Sequence, residues 1–390
     1  MDSNTENNLS KFLPELIEIR RYIHAHPELS GQENRTAALI SGELRKYGCR
    51  VTEGVGKTGV VAEIGPNSGP IIGVRVDIDA LPVEERTGLE FTSLTEGIMH
   101  ACGHDIHTCI GLGVAKIMSS KHPLNFGLRI LFQPAEEIAK GACWMKNDGA
   151  TENLDALFSV HVYPDLKVGQ VGIRDGALTA AAGELEIEIN GRGGHGARPH
   201  QTVDSILIAS RIVTGIQEAV TRCFDPLNPV VISFGKISGG NAFNVIPDQV
   251  KLLGTVRYLD KSLDQKLPEW INQVCKDIAK PFGGNVQFKY RSIAPPVYND
   301  PSLNQLLEES ASILLGKENV VRLDKPSLGA EDFAELIRDI PGTMFRLGVA
   351  GPQGCAPLHN GEFCPDEKSI LIGIEVLVKA LDLWMMDKQI

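Results

Sequence analysis

No apolar stretch in these 390 residues approaches the ~20 needed to span a bilayer. No run of Lys or Arg occurs either, and the formal net charge is -11. An acidic chain without basic patches is a poor candidate for binding nucleic acid or an anionic membrane. The eight cysteines are dispersed, with no CxxC pair and no small-domain framework. Most are therefore expected to be reduced, buried and structural. The start, MDSNTENNLS, lacks the basic and apolar regions of a secretory signal. A cytoplasmic location is the expectation. Internal repeats and low-complexity segments are also missing.

What is present is the mix of an ordinary globular protein, 43% hydrophobic and 22% charged. The length exceeds what one compact core usually holds, so two domains are expected. Leu9 to Ile23 and Glu33 to Tyr47 show helical spacing. Val60 to Ile64, Ile71 to Val76, Leu128 to Phe132 and Ala156 to Val160 read as strands buried on both faces, with a helix over Ile106 to Met118. This alternation argues for an α/β domain, a central mixed sheet flanked by helices. Beyond Gly176 the texture changes. Glu184 to Ile189 alternates charged and apolar residues, and the order becomes β-α-β-β-α-β. That order is the signature of a ferredoxin-like α+β unit. The expected boundaries are 1–178 and 295–390 for a split first domain and 179–294 for the insert. One continuous sheet is the alternative.

Five places in the first domain put metal-ligand types into short loops, mostly just after strands, where loops converge on one crevice. Asp77 and Asp79 follow a buried strand. His100-Ala101-Cys102-Gly103-His104-Asp105-Ile106-His107 gathers three of the ten histidines with a cysteine and an aspartate. Cys102 and His104, two apart in a stretch read as extended, point to one side. Thiolate plus imidazole suits zinc-like cations. Gln133-Pro134-Ala135-Glu136-Glu137 offers adjacent carboxylates able to divide labour between metal and water. His161 and His359 gain meaning only within the set. In the insert, glycines surround His195, a loop holds Asn244, and Arg257 has the fork that binds a carboxylate. The bland readings are a flexible loop and a surface ion pair.

Together these segments resemble the aminoacylase and carboxypeptidase family of di-metal amidohydrolases. The branch is that of hippurate hydrolases, auxin-conjugate hydrolases and acetyl-diaminopimelate deacetylases. RRYIHAHPELS (20–30), RVDIDALP (75–82), MHACGHDIHT (99–108), QPAEE (133–137), GRGGHGARPH (191–200), NVIPD (244–248) and GAEDF (329–333) carry the likeness. MHACGHD together with QPAEE is the most specific part. The resemblance implies Cys102, His104, Glu137, His161 and His359 as ligands of two divalent cations. It implies Glu136 as general base and acid, and Asp79 as an orienting aspartate. Asp77 stands where related branches carry a ligand His and is left out. His195 matches a histidine that enters the partner's active site across a homodimer formed by the insert. Asn244, Arg257 and Gly329 match substrate contacts.

The chemistry so implied is hydrolysis of the amide of a small N-acyl amino acid, releasing a carboxylic acid and an amino acid. Glu136 would take a proton from water and pass it to the leaving amine. His195 would stabilise the oxyanion. The thiolate favours zinc, while the other ligands also accept manganese, cobalt or nickel. Two rivals are a thiol hydrolase using Cys102 with His104, and a metal-bound binding protein without turnover.

Overall fold

A computed structural model describes residues 3–121 and 124–388, with side chains described from residue 12 onward. The side chain of Leu9, counted in the first expected helix, lies outside that set. By internal contacts the chain forms two compact units. The first comprises Met1–Leu178, Val297–Lys325 and Asp332–Ile390, and the second Thr179–Pro296 and Pro326–Glu331.

The first unit is built on an eight-stranded mixed sheet. In spatial order its strands are Arg50–Val55, Gly59–Ile64, Gly127–Gln133, Ile71–Asp77, Ala156–Lys167, Gly342–Ala350, Val171–Ile173 and Val320–Arg322. The four from Gly127–Gln133 to Gly342–Ala350 run parallel. Their near-continuous apolar runs follow from burial on both faces. On one face Val74, Val76, Phe158 and Phe345 meet helices Ser3–Ala25, His104–Ser120 and Ser369–Asp387. A Cβ on Gly113 would lie 2.2 Å from Ile374 Cδ1, so glycine there admits the close crossing of two of these helices. On the other face Leu131, Leu157 and Met344 meet Ala142, Met145, Phe333 and Leu336. The alternation Leu157 one way, Phe158 the other is the period of two expected of a strand.

Two local expectations are corrected. The strand Arg50–Val55 was not anticipated. It is a largely exposed edge with an irregular register between Glu53 and Val55, and so lacks apolar alternation. The helix expected from Ile106 starts at His104 instead. Gly103 precedes it at φ 78, a left-handed turn. Cys102 and His104 therefore do not lie along one extended stretch; they flank that turn.

The second unit is ferredoxin-like. Its antiparallel sheet runs Val230–Ser238, Gln249–Tyr258, Ala181–Asn190, Asn285–Ala294. Leu185, Ile187 and Ile189 are buried under helices Ser205–Cys223 and Leu263–Ala279, which contribute Ile208, Ile212, Leu267 and Ile271. Glu184, Glu186 and Glu188 take the opposite face. Asp204 caps the first helix by accepting from the amides of Ile206 and Leu207. Among the described residues no helix is long and apolar enough to cross a membrane.

Candidate metal centre

The parallel strands end level with one another. Asp77 pairs with Gln133, and Arg75 with Ser159, which places His161 at the height of Asp77. The loops that follow bring Asp79, Glu136 and Glu137 to the same end. The N-terminus of helix His104–Ser120 brings His104. His359 arrives on a late loop whose amide donates to Ala101 O at 2.8 Å, so the last residue of the set is tied to the neighbour of Cys102.

The ligand atoms of Cys102, His104 and His161 lie within 4.8 Å of one another. So do those of Cys102, Glu137 and His359, and those of His104, Glu136 and Glu137. Cys102 Sγ is 3.6 Å from His161 Nε2, and His359 Nε2 is 3.5 Å from Glu137 Oε2. His104 Nε2 and Glu137 Oε1 are buried, have no hydrogen-bond partner among the described residues, and face each other at 3.9 Å. Imidazole and carboxylate are both ordinary ligands that one divalent cation would satisfy. Buried polar atoms without partners are costly, so this donor set fits divalent cations.

The other ring nitrogen of His104 and of His161 is occupied. His104 Nδ1 lies 2.9 Å from Asp79 O and 3.2 Å from Asp79 Oδ1. His161 Nδ1 donates to Val162 O at 2.8 Å. Both rings thus turn Nε2 toward the centre, as bonded metal-ligand histidines do. His107 is different: Nδ1 meets Asp77 Oδ1 at 2.5 Å, and Nε2 accepts the Val162 amide at 2.9 Å. Asp77 is further held by Arg75 Nη1 at 2.9 Å. Asp77, His104 and His107 also form a close buried group, but Asp77 and His107 are already engaged with each other.

The electrostatics describe a centre short of positive charge. Burial, with the charge of Glu137, pushes the Cys102 thiol well above its ordinary value. Burial raises Glu137 to about 7. Burial opposes charge on His104, yet Asp77 and the hydrogen bond to Asp79 raise its pKa well above the usual imidazole value. His161, buried and near Arg346, is pushed well below that range. The shifts of Cys102, Glu137 and His104 all run toward the form with more positive charge, as expected of a donor set that lacks its cation.

Several contributors went unassigned in the sequence. Asp332 accepts from Gln133 Nε2 at 2.7 Å and from Arg75 Nη2 at 3.2 Å, and Arg75 Nε donates to Gln133 Oε1 at 2.8 Å. GAEDF and QPAEE are thus joined through their own side chains. Arg20 Nε and His24 Nδ1 reach Asp105 Oδ2 at 2.7 and 2.9 Å, which gives RRYIHAH a task beside His104. The signal was present as motif residues, but their partners are remote in sequence.

In the second unit His195 and Asn244 adjoin. Gly194–His195 pairs with Val245–Ile246, and the Gly196 amide donates to Asn244 O at 2.9 Å. His195 Nδ1 accepts from the Ala197 amide at 3.1 Å, leaving the ring N–H at Nε2. Arg257 is not with them. It lies near the far end of Gln249–Tyr258, ~26 Å along the strand at about 3.3 Å per residue. Its Nη1 donates to Val256 O at 2.9 Å. Gly329 is exposed on the segment Pro326–Glu331.

The family model of Peptidase family M20/M25/M40 matches residues 73–383. The chain is 39% identical over 367 residues to the N-acetyl-L-cysteine deacetylase of Bacillus subtilis, covering 93% of this chain and 86% of that protein. It is 37% identical over 376 residues to thermostable carboxypeptidase 1 of Saccharolobus solfataricus, covering 94% and 95%. Among solved structures, the Bacillus subtilis YXEP protein, a dinuclear metal binding peptidase, matches with TM-score 0.85 at 34% identity over 97% of this chain and 99% of that one.

Proposed function

Because the chain belongs to peptidase family M20/M25/M40, a family of metal-binding hydrolases, we propose that it cleaves the amide bond of N-acyl amino acids. The products are a carboxylic acid and a free amino acid. An N-acetyl amino acid and the end of a peptide share one chemical feature: an amide whose nitrogen belongs to a residue with a free carboxylate. The deacetylase and carboxypeptidase relatives both point to that feature.

The observation that carries this reading is the facing pair His104 Nε2 and Glu137 Oε1, buried and without hydrogen-bond partners among the described residues, in a ring with Cys102, His161 and His359. These five would hold two divalent cations, with zinc or manganese preferred on ligand type. Such ions, when bound, polarise a carbonyl and acidify water. Glu136, grouped with His104 and Glu137, takes the proton from water and delivers it to the leaving nitrogen. Asp79 fixes the His104 tautomer. His195, with its N–H at Nε2, donates to the oxyanion, and Asn244, Arg257 and Gly329 contact the substrate. The span between His195 and Arg257 is too long for one copy of the second unit to present both at one point. A homodimer through that unit, with one copy supplying His195 and Asn244 and the other Arg257, meets the requirement.

The thiol-hydrolase rival is disfavoured because burial raises the Cys102 thiol, whereas a nucleophilic cysteine needs the opposite shift. The test is Glu136→Gln, assayed on acetyl-, benzoyl- and indoleacetyl-amino acids alongside elemental analysis. The metals are expected to remain while turnover falls ~10²–10⁴-fold. Near-normal turnover refutes the assignment. Chelation is expected to abolish the wild-type activity, which a thiol enzyme would keep.

A further inference from the structure

The peptide groups on both sides of Glu136 are gripped by carboxylates from distant segments. The Glu137 amide donates to Asp79 Oδ2 at 3.0 Å. The Ala135 amide donates to Glu33 Oε1 at 2.9 Å, across 102 positions of sequence. Glu33 is fully buried, and neutral donors hold it: the Gly31 amide at 2.8 Å on Oε1 and the Thr58 hydroxyl on Oε2. One residue before Gly31, the Ser30 hydroxyl donates to Asp79 Oδ2 at 2.6 Å. The short segment 30–33 thus fastens both grips.

The gripped loop does not adopt its shape freely. Ala135 and Ala139 have φ of 53 and 50, the left-handed region that a Cβ disfavours. Such residues persist where their surroundings over-determine them, and they cluster at functional sites. Burying a carboxylate among neutral donors is unfavourable, and burial accordingly raises the Glu33 pKa. An apolar residue would brace a loop at less cost. A carboxylate gives what an apolar residue cannot: an anionic acceptor that makes short, directional bonds to two amides.

We propose that Glu33 is a positioning residue. It holds the Ala135 amide so that Glu136 leaves the loop in the orientation of a base and Glu137 in that of a ligand. The inference rests on the assignment of Glu136 as the base, and it predicts behaviour that Glu136 variants do not share.

The test uses the full chain loaded with zinc, carrying Glu33→Leu, Glu33→Asp or Glu33→Gln. Hydrogen exchange by mass spectrometry follows peptides covering residues 133–140 and the preceding strand. Zinc content is measured, and kcat and KM are read on N-acetyl-L-cysteine. In Glu33→Leu the loop amides are expected to exchange ~10-fold faster, the worth of about one hydrogen bond to a charged group. The strand Gly127–Gln133 should keep its protection, and the loss of activity should fall on kcat with KM little changed. Glu33→Gln keeps a neutral oxygen for Ala135 and Gly31 and should loosen the loop less than leucine does. Glu33→Asp withdraws the acceptor while keeping the charge, so it serves if the leucine variant does not fold, with the same local loosening expected. Wild-type exchange in the loop of the leucine or aspartate variant overturns the proposal. So does loosening spread evenly over the first unit, or a glutamine variant as loose as leucine. Glu136→Gln should leave loop exchange unchanged. Full activity in that variant would remove the base assignment, while the exchange data would still decide the clamp.

Discussion

Cys102 Sγ lies 3.6 Å from His161 Nε2, and burial shifts the two groups in opposite directions. Burial and Arg346 push His161 well below the usual imidazole range. Burial and Glu137 push the Cys102 thiol up, against the thiolate. Metal ligation requires the thiolate and the neutral ring. His104, whose proton is held by its acidic neighbours despite burial, must also release one. Zinc uptake is therefore expected to release protons from Cys102 and His104, with a further one below about 7 from Glu137. Apparent affinity should rise with pH throughout. Calorimetry in buffers of different ionisation enthalpy counts the protons, and an affinity indifferent to pH would contradict this electrostatic account.

Gly103 sets the angle between Cys102 and His104. At φ 78 it occupies a conformation that costs a side chain about 1–2 kcal/mol, and an added Cβ would meet Val162 Cγ2 at 2.7 Å. Gly103→Ala is expected to displace one ligand from the other and weaken zinc binding ~10–100-fold, the usual cost of disturbing a ligand's support. Zinc retained after dialysis against a graded chelator measures it. Wild-type retention would mean that the turn is dispensable.

His24 is buried between Asp105 Oδ2 at 2.9 Å and Glu85 Oε1 at 3.1 Å. Burial works against its charge, but the two carboxylates prevail and raise its pKa above 6.5. A raised folded-state pKa contributes stability that is complete below the unfolded value and lost as pH rises through the folded one. His24→Phe should therefore lower the urea midpoint more at pH 5.5 than at pH 9, with a loss of about 1–3 kcal/mol on the acid side. An equal loss at both would show that the ring acts by packing alone.

Much of the fold was legible because burial leaves marks in a sequence. The parallel strands are unbroken apolar runs, and the second unit alternates Glu184-Leu185-Glu186-Ile187 with the period of a half-wet sheet. The ligand types were legible because Cys, His and Glu cluster after those strands. What was not legible depends on backbone handedness and distance. Whether Gly103 turns left cannot be read from ACGHD, so Cys102 and His104 were placed on an extended stretch and the helix start was set late. Arg50–Val55 is an edge strand with little to bury. Glu33, Asp332 and Arg20 act on partners 102, 199 and 85 positions away, and a single sequence carries no record of such pairings.

Strand Gly342–Ala350 sits in the middle of the first unit's sheet, between Ala156–Lys167 and Val171–Ile173. During synthesis that slot stays vacant until residues 342–350 emerge, after every other strand of the sheet. The growing chain then exposes two unpaired strand edges, the kind of surface that invites chaperones and aggregation. His359 emerges later still. A ribosome that stalls before the last slot is filled would leave a product with neither a closed sheet nor His359.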